Sequence, residues 1–60
     1  MEKFIKVTHE NIGPIYISTE SVIYFWKFGE QTEIKLKYTI YGKNYIHVKE
    51  SCEDIINQLK

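Results

Sequence analysis

From Glu33 to Ile40 apolar and polar side chains alternate without interruption. Ile34, Leu36, Tyr38 and Ile40 occupy one parity, and Glu33, Lys35, Lys37 and Thr39 the other. A period of two over eight residues predicts a strand with one buried and one wet face. The same rule extends to weaker stretches. Phe4-Ile5-Lys6-Val7-Thr8 is β-branched and partly alternating, and Ile15-Tyr16-Ile17 sets both Ile on one side, so each predicts a strand. Asn11-Ile12-Gly13-Pro14 separates them as a turn. Ser18-Thr19-Glu20-Ser21 interrupts the pattern, with Ser18 placed to cap a single helical turn. Val22 to Phe28 is a third extended run, closed by Gly29-Glu30-Gln31. After the alternating strand, Gly42-Lys43-Asn44 predicts a tight connection into Tyr45-Ile46-His47-Val48-Lys49, with Ile46 and Val48 inward and Tyr45, His47 and Lys49 outward.

The period then changes. Cys52, Ile55, Ile56 and Leu59 recur at i, i+3, i+4 and i+7, one stripe of a helix. Ser51, with Asp54 three residues on, forms a capping box in which Asp replaces the usual Glu. A helix of about two turns does not persist alone in water, so its stripe has to dock on the sheet. The pattern predicts an α+β fold: a small four- to five-stranded antiparallel sheet with one C-terminal helix from about Cys52 to Leu59. Residues 1–60 form a single small domain. The expected core is Ile5, Val7, Ile15, Ile17, Ile34, Leu36, Ile46, Val48, Ile55, Ile56 and Leu59.

Within the third run, Tyr24, Trp26 and Phe28 share one face while Ile23 and Phe25 point to the other. Both faces are apolar, yet a 60-residue chain builds only one core. Three uses of the aromatics compete. They are the core, the hydrophobic centre of an interface, or a platform on which bases stack. The expectation is the second, with Tyr24, Trp26 and Phe28 at the interface of a homodimer; Ile23 with Phe25 takes that place if the strand's parity is reversed.

Composition narrows the field. Eight lysines offset eight acidic residues, and there is no Arg. The bidentate fork that reads guanine and phosphate is therefore missing, which argues against a nucleic-acid partner. Cys52 is the single cysteine, so no disulfide staples the chain; it is expected as a small buried hydrophobe in a reducing compartment. No apolar run approaches the roughly 20 residues of a membrane span, and Glu2, Lys3 and Lys6 break any early leader-like stretch. These points predict a cytoplasmic protein. The bias to Ile, Lys, Asn and Tyr, with no Ala, suits an AT-rich coding sequence of bacterial or phage origin.

His9 and His47 are the natural general bases, and both are expected at the surface without a catalytic role. One Cys and two dispersed His do not supply a zinc site. Gly13, Gly29 and Gly42 are isolated, so no phosphate-cradling loop is present. No catalytic, cofactor-binding or metal residue is predicted. The expected function is a non-catalytic interaction or accessory module.

The order of these segments resembles the small flagellar and swarming-motility family called FlbD-like. The likeness lies in Val7-Thr8, Asn11 with Gly13, Ile15-Tyr16-Ile17, Val22-Ile23, Thr32 with Ile34 and Leu36, Gly42-Lys43, and Val48-Lys49-Glu50-Ser51. It covers nearly the whole chain and implies a motility-associated accessory protein. His9 stands where that family usually has a basic residue, the stretch from Leu36 to Gly42 is longer, and Tyr24 to Phe28 is more aromatic. The strand-break-strand rhythm around Ile17 to Tyr24 and the terminal helix also resemble the DNA-binding domain of LytTR-type regulators. That resemblance implies nucleic-acid binding, although the basic recognition residues are absent here.

Overall fold

A computed structural model of the chain describes residues 3–60. It contains five strands, β1 (Phe4–His9), β2 (Gly13–Ser18), β3 (Val22–Phe28), β4 (Gln31–Ile40) and β5 (Lys43–Val48), followed by helix α1 (Cys52–Leu59). The strands make one antiparallel sheet in the order β2-β1-β5-β4-β3. This is the α+β architecture that the pattern predicts, with the full five strands.

The connection between β2 and β3 gives the sheet its shape. These strands are consecutive in the chain yet form opposite edges, joined only by a 3₁₀ turn at Thr19–Ser21. The four steps from Ser18 to Val22 reach at most about 14 Å. The edges of a flat five-stranded sheet would lie about 19 Å apart, four spacings of about 4.8 Å. The sheet is therefore rolled toward a half-open barrel. Ser18 holds the corner: its Oγ accepts from Glu20 N at 3.2 Å, and its carbonyl accepts from Ser21 Oγ at 2.7 Å.

Inside the roll lie Ile5, Val7, Ile17, Ile34, Leu36, Ile46, Val48 and Ile55, with Ile15, Val22, Phe25 and Ile40 packed around them. The registers put these side chains opposite one another: Ile5 faces Ile17, and Ile34 lies between Phe25 and Ile46. The helix starts as predicted, with Ser51 Oγ accepting from Asp54 N at 3.1 Å. Among the described residues, no helix is long and apolar enough to cross a membrane.

The roll has a seam. One edge of β1 pairs with β2 along its whole length, but the other meets β5 only at His9 and Val48. Lys49 N donates to Thr8 O at 3.0 Å and Glu10 N to His47 O at 3.2 Å. Beyond that point side chains finish the ladder. The Glu50 carboxylate accepts from Thr8 N at 2.6 Å and from Thr8 Oγ1 at 2.8 Å. The Gln58 amide takes the place of a strand residue, accepting from Lys6 N and donating to Lys6 O, both at 2.8 Å. Thr32 Oγ1 donates to the Glu50 carbonyl at 2.7 Å and ties β4 to the same clasp. Among the described residues, no buried side-chain nitrogen or oxygen lacks a partner.

Several expectations are corrected. Ile56 and Leu59 are exposed (46% and 41%), and of the helical stripe only Ile55 is buried. Gln58 fixes the helix by its backbone clasp on β1, and this leaves an apolar groove of about 230 Å³ between α1 and β3 that Leu59 only borders. Ile15 is half-buried because it lies on edge strand β2. Tyr38 points to solvent, since β4 runs past the core where its pairing with β5 slips between Lys35 and Ile40. The β4–β5 turn sits at Tyr41-Gly42, one step earlier than Gly42-Lys43-Asn44. Both residues have positive φ, +54° and +75°, as a type I′ turn requires. Cys52 is half-buried, its Sγ 3.9 Å from Thr32 Oγ1.

Candidate interaction face

A single bulge decides which face of the aromatic strand looks outward. Val22 lies opposite Leu36 and Tyr24 opposite Lys35, so Ile23 is an extra residue in β3. Without it, Val22, Tyr24, Trp26 and Phe28 would share the core side. With it, Val22 and Phe25 pack against the core, and the three aromatics emerge on the opposite face. Tyr24 and Trp26 are each 53% exposed and Phe28 is 48% exposed. The alternative pairing is thereby divided: Ile23 is exposed at the bulge, whereas Phe25 belongs to the core side.

The registers arrange this outer face in rows that cross three strands. One row is Tyr24, Lys35 and Tyr45; the next is Trp26, Glu33 and His47; the third begins with Phe28 and Gln31. Glu33 is the hub. Its Oε2 accepts from Trp26 Nε1 at 2.8 Å, and its Oε1 lies 3.0 Å from His47 Nε2. On the other side of the imidazole, Nδ1 lies 3.1 Å from Glu10 Oε2, in the β1–β2 turn. A neutral imidazole donates from one nitrogen only; the imidazolium donates to both carboxylates at once. Phe28 stacks on the His47 ring, with centroids 4.8 Å apart and planes within 8°. Tyr45 leans on the same His47 ring, with centroids 5.5 Å apart, and Lys43 Nζ sits 5.8 Å over the Tyr45 ring. Trp26 and Phe28 are therefore held in place before anything binds.

The indole N–H, followed by the His47 hydrogen bond, holds the Glu33 carboxyl below the ordinary glutamate range; burial opposes this weakly. A depressed folded-state value means that the contribution is present above the unfolded value and disappears as pH falls through the folded one. Trp26 is the only tryptophan, so it reports this directly. Its fluorescence is expected to titrate at a pH below about 4.3, the ordinary Glu value, and Glu33→Gln should remove that transition. A midpoint at or above that value would show that the indole bond is not held in solution.

His9 and His47 are not the free surface histidines that the sequence suggests. His9 is 7% exposed, and its Nδ1 accepts from Asn11 N at 3.0 Å and Ile12 N at 3.2 Å, which closes the β1–β2 turn. His47 is shared by two carboxylates. Among the described residues no group of three or more His, Cys, Asp and Glu converges as a metal ligand set. Glu33, Glu10 and Lys35 escape sequence reasoning. Counting back from a two-residue Gly29-Glu30 turn would have paired Trp26 with Glu33, but no pattern in the chain joins Glu10 to His47. Compared with known proteins, the chain matches no family model, no curated protein and no solved structure.

Proposed function

We propose that this chain is a non-catalytic interaction module that works as a homodimer through the outer face of β3, β4 and β5. One observation carries the reading: the core is complete without Tyr24, Trp26 and Phe28, which stand exposed on a single face, with Trp26 and Phe28 pre-positioned. Large exposed aromatics gathered on one face mark interaction sites, and Trp and Tyr are enriched at interface centres. The histidines support a non-catalytic role, since His9 is committed to the backbone and His47 to two carboxylates. The FlbD-like resemblance would place such a module in motility; the matching residues, such as Val7-Thr8 and Ser51, are strand, turn and cap positions, so they speak to fold more than to partner.

Molar mass measured by sedimentation or light scattering over a concentration series tests the reading. The expected result is a species of twice 7.2 kDa at micromolar concentration. Trp26→Ala should weaken the dimer by about 2 kcal/mol, roughly 30-fold, with the circular dichroism spectrum unchanged. A 7.2 kDa monomer at high micromolar concentration would overturn the proposal.

A further inference from the structure

The rows of the outer face carry opposite charges, and this selects one way for two copies to meet. The Tyr24, Lys35 and Tyr45 row is cationic, and the adjacent Trp26, Glu33 and His47 row centres on a carboxylate. Resting on the homodimer reading above, we infer that two copies pack outer face to outer face about a two-fold axis that runs across the strands, midway between these rows. Lys35 then lies over Glu33 of the partner subunit, and Tyr24 over Trp26 of the partner subunit.

The choice of axis follows from symmetry. A face-to-face dimer has its axis in the plane of contact. An axis along the strands and centred on β4, the middle strand of the face, would set Lys35 on Lys35 of the partner subunit and Glu33 on Glu33 of the partner subunit, like charges in a partly desolvated layer. An axis across the strands exchanges the two rows instead. Residues two apart on a strand are separated by about 6.7 Å, so an axis halfway between brings the rows into register. Four charges then alternate in sign around the centre. Sheets stacked in this way sit about 10 Å apart, a gap that Trp, Tyr and Lys side chains span. Glu33 has capacity for the contact. A carboxylate offers about four lone-pair sites, and the bonds to Trp26 and His47 use one on each oxygen. Like any exposed glutamate it is ionised at neutral pH, and its pKa lies lower still. The edge of β2 carries Pro14 and the β3 edge only Lys27 as protection, which leaves edge-to-edge pairing of β3 as the competing geometry.

Charge reversal separates the possibilities. Lys35→Glu should raise the dimer dissociation constant at least tenfold, whereas Lys6→Glu, the same charge change on exposed β1, should leave it within about twofold. Mixed in equal amounts, Lys35→Glu and Glu33→Lys should form a heterodimer that neither makes with itself, because both cross-copy pairs become complementary. If Glu33→Lys fails to fold, the Lys35→Glu and Lys6→Glu pair decides alone. A wild-type dimer indifferent to Lys35→Glu overturns this packing but leaves the homodimer reading standing. A wild-type monomer overturns both. A monomer that binds oligothymidylate through Lys35 would likewise overturn both and assign the face to single-stranded nucleic acid.

Discussion

Ile34→Ala should leave the chain largely unfolded at room temperature, or lower its urea midpoint by about a third or more. Ile34 is fully buried in β4, between Phe25 of β3 and Ile46 of β5, and borders the groove under α1. Removing three carbons there costs the transfer energy and the cavity they leave, about 3–4 kcal/mol for a site that cannot collapse. A chain of 60 residues has a total stability of roughly 3–9 kcal/mol. Ile56→Ala provides the contrast: the side chain is 46% exposed, and the change should stay within about 0.5 kcal/mol. Equal losses from the two substitutions would mean that α1 docks through its whole stripe, against the geometry described.

The contrast between Ile34 and Ile56 shows where a sequence can be read and where it cannot. Ile34 belongs to a long alternation, and a period of two leaves one buried face whatever the strand order. The cap at Ser51, the 3₁₀ turn after Ser18 and the five strands are local in the same sense. Ile56 depends on a tertiary fact, the Gln58 clasp on Lys6, which rotates and anchors the helix so that one Ile serves where two match the period. The candidate face is of the second kind. Tyr24, Trp26 and Phe28 were legible as a set, but the side they occupy follows from the bulge at Ile23, and nothing in Val22-Ile23-Tyr24 announces an extra residue. The Glu10–His47–Glu33 chain joins three segments 14 to 37 positions apart and has no sequence pattern. His9 illustrates the converse: a polar residue on the core parity of β1 is buried because two backbone N–H groups satisfy it.

Glu50→Ala should cost about 2–3 kcal/mol although the residue lies in a loop and only half-buried. Its carboxylate accepts from Thr8 N and Thr8 Oγ1 where β5 has turned away from β1. At this half-buried site each bond falls below the about 1.5–3 kcal/mol of a fully buried charged acceptor, and the Thr8 N–H, part-buried, is left without a partner when the carboxylate goes. Thr8→Val removes only the hydroxyl bond and should cost about 1 kcal/mol; Glu50→Gln should fall between the two. A double-mutant cycle on Thr8→Val and Glu50→Ala should give a coupling of at least about 0.5 kcal/mol, the mark of groups in direct contact. Independence would mean that the clasp does not form in solution. The consequence reaches the outer face, because Glu10 touches His47 across the same seam. Loosening the seam frees the imidazole from one carboxylate and with it the ring on which Phe28 stacks. On the proposed homodimer, Glu50→Ala is therefore expected to weaken self-association as well as folding, at temperatures where circular dichroism still reports a native sheet. If the dimer constant is unchanged under those conditions, the face is held by Glu33 alone.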